Sequence, residues 1–234
     1  MQLYDKILLT IHITVGVISL ITFMIPMFVR KGGNIHIKIG KVYIYCMWIV
    51  VCSAFLLSIN NLILKHYVAA VFLGYLTLIT ANPLWYGYSI LKYKKDVPTS
   101  FLEKKKIFDI VVVLGAIGNL IYFYYLGGKG QSILLLIFGI IGLTNMPSVI
   151  APINKLKSKS NWYLDHMEGM IITGIAAYTA FFAFGGATFF GKIFSGSMMA
   201  IPWILPSILG AITIKYFKVK YLRKINTKGI TTTN

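Results

Sequence analysis

The chain has 234 residues, of which 57% are hydrophobic and only 12% are charged, yet its formal net charge is +17. A soluble domain is about 45–50% apolar and about 25% charged, so this composition excludes an ordinary soluble fold. Intrinsic disorder is excluded too, because it requires low hydrophobicity. The basic charge does not indicate nucleic acid, since such surfaces favour arginine and the chain has only Arg30 and Arg223. We therefore expect a membrane protein that binds no nucleic acid.

Seven apolar segments follow one another along the chain, each near the roughly 20 residues that a helix needs to cross a bilayer. They lack the period-two alternation of strands, and within lipid every backbone group must be paired in its own segment, which favours helices. The segments are 7–29, 42–59, 67–91, 107–126, 132–150, 163–185 and 199–216. The sequence predicts an all-α integral membrane protein, with a bundle of seven transmembrane helices in residues 1–221. We expect residues 222–234 to form a disordered, basic and polar cytoplasmic tail.

The positions of the basic residues predict the orientation of this bundle. All but four of the 23 lie in the connections after segments 1, 3 and 5 and in the tail after segment 7. The four on the other side are Lys6, Lys65, Lys129 and Lys192. Cytoplasmic loops carry the excess of Lys and Arg, so we expect the amino terminus outside and the carboxyl terminus inside. This predicts a bacterial inner (cytoplasmic) membrane protein whose basic loops contact anionic inner-leaflet lipid.

Polar side chains inside apolar segments are costly to bury and therefore mark candidate cavities. The candidate cavity or substrate residues are Asn82, Asn119, Asn145 and Tyr178. Prolines follow two of these asparagines closely, so residues 82–83 and 145–147 are expected to interrupt or kink segments 3 and 5. Two interrupted helices favour a midplane substrate site like those of transporters. The alternative is that the kinks merely shape the bundle.

Segment 6 carries small and weakly polar residues at helical spacing, namely Gly169, Thr173, Ala176 and Ala180. Such a stripe is typical of close helix packing in membranes, and the alternative is that it lines a cavity or a cofactor cleft. The same kind of face suits self-association. A homo-oligomer or a larger membrane complex is therefore a further expectation.

Two histidines on the predicted inner side are candidate cofactor ligands. His36 lies in the connection after segment 1, and His166 lies at the start of segment 6, so the two side chains are able to meet. Imidazole is a ligand of haem iron and of transition metals, which predicts haem b or a metal held by His36 and His166. Asp165 and Glu168 would then accept hydrogen bonds from the rings.

Each of these residues also has a simpler interpretation. Acids in the first turn of a helix favour the positive end of its dipole, and Asn161 or Ser160 is an ordinary helix cap. His12 lies inside segment 1, about 25 Å of helix away from the inner connection. It joins the other two histidines only if that connection folds back into the bundle, and otherwise it serves a quinone or a proton path. His66, in an outer loop, is expected to be solvated.

Two runs of residues resemble a known family. The first is His12-x-x-x-Gly16-x-x-Ser19-Leu20, followed by Arg30-Lys31-Gly32-Gly33-x-x-His36-x-x-x-Gly40-Lys41-Val42-Tyr43. It resembles the bacterial predicted membrane proteins called domain of unknown function 2306. The second is His166-Met167-Glu168-Gly169-Met170 with Tyr178-Thr179-Ala180-Phe181, which is similar to a part of related proteins. The resemblance implies a small multi-pass membrane protein without a settled activity, and it favours His12, His36 and His166 over His66. Segments 3 to 5 carry no such motif.

Three functions are consistent with the sequence. The first is a redox or electron-transfer role with haem b or a metal at His36 and His166. The second is a transporter, or a protein that binds a small molecule or lipid, built on the kinked segments 3 and 5. The third is a structural subunit of a membrane complex. The sequence identifies no catalytic residue, since it carries neither a P-loop nor a nucleophile elbow.

Overall fold

The computed structural model describes residues 3–128, 132–185 and 201–231, and the regular structure in these residues is entirely helical. The helices are α1 (Leu3–Phe28), α2 (Asn34–Ile63), α3 (Tyr67–Ser89), α4 (Thr99–Tyr125), α5 (Ile133–Leu143), α6 (Met146–Ile150), α7 (Ile153–Lys159), α8 (Trp162–Ala180) and α9 (Ile201–Thr231). A 3₁₀ turn at Ile90–Lys92 extends α3, and a π-helical turn at Phe181–Gly185 extends α8. The prediction of an all-α fold is confirmed. Lys129, Lys192 and the expected start of segment 7 at residue 199 lie outside the described residues.

Four of these helices are long and apolar enough to cross a membrane: α1, α2, α3 with its 3₁₀ turn, and α4. The helix α5 is apolar but shorter. Large apolar side chains are exposed on the outside of the long helices, for example Ile21 on α1 and Leu114 and Ile121 on α4. An apolar exterior of this extent suits lipid rather than water. The chain therefore has the architecture of a helical membrane protein.

Several helices extend beyond the apolar runs that predicted them. The helix α2 begins at Asn34, after the extended residue Gly33, so His36 lies in its first turn and not in a loop. The helix α4 begins at Thr99, which places residues 104–106 inside the helix. The helix α9 continues to Thr231 and so includes residues 222–231 of the expected tail, and residues 232–234 lie outside the described part. Hydropathy marks the portion of a helix that suits lipid, whereas backbone hydrogen bonding continues into polar residues.

The two predicted interruptions have different outcomes. Segment 5 is divided, because α5 ends at Leu143 and α6 begins at Met146 with Pro147 in its first turn. The interruption at residues 145–147 is therefore confirmed. In α3, Pro83 lies inside the helix and the residues on both sides stay helical, so the interruption at residues 82–83 is wrong. Membrane helices tolerate an internal proline where neighbouring helices pack around it.

The helix α3 lies at the centre of the packing, since it contacts α2, α4, α5 and α8. The helix α1 packs on α2, and α9 packs on α8. One cluster of buried side chains joins α2 to α3 around Met47 and Leu84. A second joins α3 to α4 and α5 around Tyr75, Ala116 and Leu135.

The helices α3 and α8 approach most closely at two glycines. A Cβ atom added to Gly169 would lie only 2.8 Å from the Cα of Gly87 and 2.8 Å from the carbonyl oxygen of Pro83. Only glycine allows this backbone separation, which is how small residues let membrane helices pack. Further along α8, the buried Tyr43 hydroxyl of α2 donates to Thr173 Oγ1 at 2.7 Å. The predicted packing role of the segment 6 stripe is thus observed at Gly169 and Thr173.

Candidate functional site

A cavity of about 590 Å³ lies between α3, α4, α5, α8 and α9. This volume falls within the range of about 300–1,000 Å³ that is typical of small-molecule sites. Much of the wall is apolar and is formed by isoleucines of three helices, Ile79, Ile137, Ile141, Ile172 and Ile175. Asn82 and Asn145, two of the predicted cavity residues, also line it.

A fully buried carboxylate, that of Asp109, forms a polar cluster on the cavity wall. Its Oδ1 atom accepts a hydrogen bond from Asn82 Nδ2 at 2.8 Å. Its Oδ2 atom accepts from Lys105 Nζ and from Ser148 Oγ, each at 2.5 Å. A buried carboxylate is tolerated only when it is paired and hydrogen-bonded, and here three donors from three helices satisfy it.

Local structure explains why these four side chains meet. Lys105 and Asp109 are four residues apart on α4 and therefore share one face of the helix. Ser148 belongs to α6, which packs against α4 as α5 does. Asn145, at the break between α5 and α6, uses its side-chain amide to donate to the carbonyl oxygen of Gly142 at 3.1 Å. Ser148, which donates to Asp109, thus follows the interruption in segment 5 by a single turn.

A second polar group surrounds the start of α8. The carboxylate of Asp165 accepts hydrogen bonds from Tyr86 Oη at 3.0 Å, from Ser160 Oγ at 2.8 Å and from the backbone N–H of Asn161 at 3.1 Å. The side chain of Asn161 caps α8 by accepting from the amides of residues 163 and 164. The capping role expected of Asn161 is thus confirmed. Glu168, one turn further along α8, also lines the cavity.

The structure brings His36 and His166 together at a separate place, outside the cavity lining. Their ring centroids are 6.5 Å apart, with an angle of 71° between the ring planes. His36 Nδ1 lies 3.2 Å from the carbonyl oxygen of Pro26, and His166 Nδ1 lies 2.7 Å from that of Gly87. A carbonyl only accepts, so each Nδ1 carries a proton, and in the neutral form of each ring Nε2 is the unprotonated nitrogen.

The acceptors around these rings differ from the predicted ones. Backbone carbonyls, and not Asp165 or Glu168, accept the hydrogen bonds of the ring N–H groups. Asp165 instead accepts hydrogen bonds from Tyr86 and Ser160. That part of the prediction is wrong. Within the described residues no group of three or more His, Cys, Asp or Glu side chains is arranged to hold a metal ion. The role of the two histidines as cofactor ligands stays a prediction.

The remaining candidates lie elsewhere. His12 bonds to Ser53 Oγ at 2.8 Å, and Ser53 lies about 25 Å along α2 from His36, so His12 does not join the histidine pair. The Tyr178 hydroxyl donates to the carbonyl oxygen of Leu20 at 3.0 Å and ties α8 to α1. Asn119 is buried within α4. Neither Tyr178 nor Asn119 lines the cavity, so their predicted cavity role is not observed in the described structure.

Sequence reasoning missed Asp109 and its partner Lys105. The signal was present, because Asp109 is an acid inside an apolar segment and Lys105 precedes it by one helical turn. An ionisable residue within a membrane segment is a candidate functional group in its own right. Thr179 was also missed as a cavity residue, and a single threonine in an apolar helix carries no comparable signal.

Comparison of the chain with protein-family models, with curated proteins and with solved structures gives no match. The resemblance of the His12, His36 and His166 regions to domain of unknown function 2306 stays a prediction. The function must therefore be inferred from the residues of this chain.

The Lys105–Asp109 pair should show strong energetic coupling. Replacing Lys105 with Met leaves the Asp109 carboxylate, which is 0% exposed, without its counter-ion, so we expect a loss of about 3–5 kcal/mol in the free energy of unfolding. The double variant Lys105→Met/Asp109→Leu removes both charges and should recover part of this loss. The measurement is a double-mutant cycle by equilibrium unfolding in mixed detergent micelles.

The matched control is the ion pair between Lys157 and Asp96, whose atoms are 3.2 Å apart and whose side chains are 42% and 72% exposed. The equivalent cycle there should give a coupling energy of about 0–1 kcal/mol. Equally small coupling energies in the two cycles would contradict the structural role assigned to the buried pair.

Proposed function

We propose that the chain is a multi-pass protein of the cytoplasmic membrane that binds a small molecule within its helical bundle, as a transporter or a binding protein. The observation that carries this proposal is the cavity of about 590 Å³ with the buried Asp109 cluster on its wall. Small-molecule sites combine an apolar lining with a few fixed polar groups, which is the composition of this cavity. Ionisable side chains that face a cavity in a membrane bundle mark substrate or ion pathways.

Burying the charges of the Asp109 cluster costs free energy, and a purely stabilising role does not explain why the chain bears this cost. Desolvating Asp109 and Lys105 offsets most of their mutual attraction, so a buried ion pair contributes little net stability compared with apolar side chains of similar volume. An apolar pair would pack at this position at a lower cost. The presence of the ion pair on the wall of a cavity therefore favours a role in binding.

The same proposal includes seven transmembrane helices with the amino terminus outside. The helices α5 and α6 together cover segment 5, and α8 with its π-helical turn covers segment 6. Contacts between the basic connections support one common side. Lys157 donates to Asp96 at 3.2 Å, which joins the connections after segments 5 and 3. The ammonium of Lys31 lies 5.3 Å from the ring centroid of Phe217, which joins the connection after segment 1 to α9.

The orientation predicts a labelling pattern. In a variant whose Cys46 and Cys52 are replaced by Ala, His66→Cys should react with a membrane-impermeant maleimide in spheroplasts, because the connection after segment 2 faces outward. Asp96→Cys should react only after permeabilisation. The reversed pattern would contradict the orientation, and labelling of both sites from outside would contradict the passage of α3 across the membrane.

The cavity should admit water-soluble reagents. In the same cysteine-free background, Ala176→Cys lines the cavity, whereas Ile117→Cys lies on the outer face of α4, where Ile117 is 40% exposed. A thiol reacts as its thiolate, which forms in a hydrated cavity and not against lipid. We expect a hydrophilic methanethiosulfonate reagent to modify Ala176→Cys at least about tenfold faster than Ile117→Cys. Equal rates would show that the cavity is closed to polar molecules and would contradict the proposal.

A redox role is the second candidate function, and the histidine pair favours it. Both rings are oriented by a hydrogen bond from Nδ1 to a backbone carbonyl, which is how proteins fix imidazole ligands. A haem iron coordinated on both faces requires two protein ligands, and the two imidazoles supply this number. A transition metal held by side chains alone requires more ligands than this pair. A haem held by His36 and His166 would supply one-electron chemistry.

This second candidate is tested by haem titration of the purified full chain. If the pair binds haem b, a Soret band should appear, and His36→Ala and His166→Ala should each weaken the affinity at least about tenfold by removing one ligand. His66→Ala is the matched control, because His66 is exposed and lies at the start of α3. No Soret band, or equal affinity in all variants, would rule out the role of the pair.

A further inference from the structure

The cavity concentrates negative charge in a chain that is otherwise strongly positive. Half of the chain's six acidic residues line it, namely Asp109, Asp165 and Glu168, although the formal net charge is +17. Of the 23 basic residues, only Lys105 and Lys159 are found in the described lining. This distribution is the opposite of what a random placement of charges would give.

Two of the three carboxylates have no cationic partner within bonding distance. Lys105 neutralises Asp109, but Asp165 accepts only from the neutral donors of Tyr86, Ser160 and the Asn161 backbone. Glu168 has neither a hydrogen bond nor an ion pair in the part of the chain that the structure describes. Lys159, next to Ser160, lines the cavity at the same end but is exposed, so the two carboxylates leave one negative charge in excess there, which favours a cation.

An independent observation at the other end of the cavity also indicates a ligand. Thr179 lines the cavity, is only 7% exposed, and its Oγ1 atom has no hydrogen-bond partner among the described residues. The other buried threonines of the described chain donate to carbonyl oxygens of their own helices; they are Thr77, Thr80 and Thr173. An unsatisfied buried hydroxyl is costly, so the exception at Thr179 indicates that its partner is a molecule in the cavity.

The face of α8 between these two ends is apolar. Glu168, Ile172, Ala176 and Thr179 line the cavity on successive turns of the helix. Glu168 and Thr179 are about 16 Å apart along the axis at about 1.5 Å per residue. The wall thus offers negative charge at one end, an apolar surface along its length, and a free hydroxyl at the far end.

We infer that the cavity binds an amphipathic molecule with an amine or ammonium group, whose cation lies beside Asp165 and Glu168 and whose apolar body lies along the isoleucine wall. This inference rests on the proposed function, because it names the class of molecule that the cavity takes. Choline-like, alkylamine and arylalkylamine compounds share this chemistry. The Asp109 carboxylate is already neutralised and contributes shape and polarity rather than net charge.

Three probes with one common body test the charge preference: phenylbutylammonium, phenylbutanol and phenylpentanoate. Binding is measured by equilibrium dialysis of the full chain in detergent. We expect the ammonium to bind at least about tenfold more tightly than the alcohol, and the carboxylate to bind most weakly, because the probes share the phenylbutyl body and carry a positive, a neutral and a negative head group. Glu168→Gln should remove most of this preference, and Asp165→Asn is the second variant if the first does not fold. Glu103→Gln is the matched control, since Glu103 is exposed on α4 and lies outside the cavity lining.

The outcomes separate this inference from the proposed function. Ala176→Trp places a bulky indole ring on the apolar face of α8 that lines the cavity and should abolish the binding of all three probes. If the three probes bind equally and Ala176→Trp abolishes that binding, the charge preference is overturned and the cavity remains a binding site. Binding that is unchanged in Ala176→Trp, or the absence of any binding, would overturn the inference, and an unreactive Ala176→Cys would overturn the proposed function as well. A preference for the ammonium that persists in both Glu168→Gln and Asp165→Asn would refute the assignment to these carboxylates.

Discussion

The close approach of α3 and α8 at Gly87 and Gly169 is the constraint on which the rest of this structure depends. With a Cβ atom on either residue, the two backbones would have to separate. Their contact allows the His166 ring to reach the carbonyl oxygen of Gly87, which holds the ring beside His36. The same contact sets α3 and α8 side by side as two walls of the cavity. One glycine pair therefore positions both the histidine pair and two walls of the cavity.

The buried charge of Asp109 is the second feature that organises the structure, because a buried carboxylate must be paired and hydrogen-bonded. In a medium of low dielectric constant an unpaired carboxylate is too costly to keep, so Asp109 requires several donors around it. Asn82 supplies one from α3, Lys105 one from α4 and Ser148 one from α6. Ser148 lies directly after the break between α5 and α6, so the cluster joins the interrupted segment to α3 and α4.

The two candidate functions use different parts of α8. Its first turns carry Asp165 and Glu168 toward the cavity, while His166, between them in sequence, reaches α2 and α3. Successive residues of a helix point about 100° apart, so neighbouring side chains serve different sites. The cavity has the stronger support, because volume, a buried polar cluster and the unsatisfied Thr179 hydroxyl occur together there. The histidine pair rests on its ring geometry and on the two hydrogen bonds from Nδ1 to backbone carbonyls.

The sequence by itself determined the helical membrane architecture, because its apolar runs are long and lack period-two alternation, and backbone groups in lipid must then be paired within each run. It also identified Asn82 and Asn145 as cavity residues and placed His36 and His166 on one side, since costly polar groups in apolar runs are visible from composition. Only the tertiary structure decided that Asn119 and Tyr178 lie away from the cavity, that α3 continues through Pro83, and that Asp109 is the centre of the polar cluster. These outcomes depend on which face each helix turns toward its neighbours. Hydropathy marks where a helix lies in the chain, but helix rotation is set by contacts such as Gly87 with Gly169, between residues far apart in the sequence.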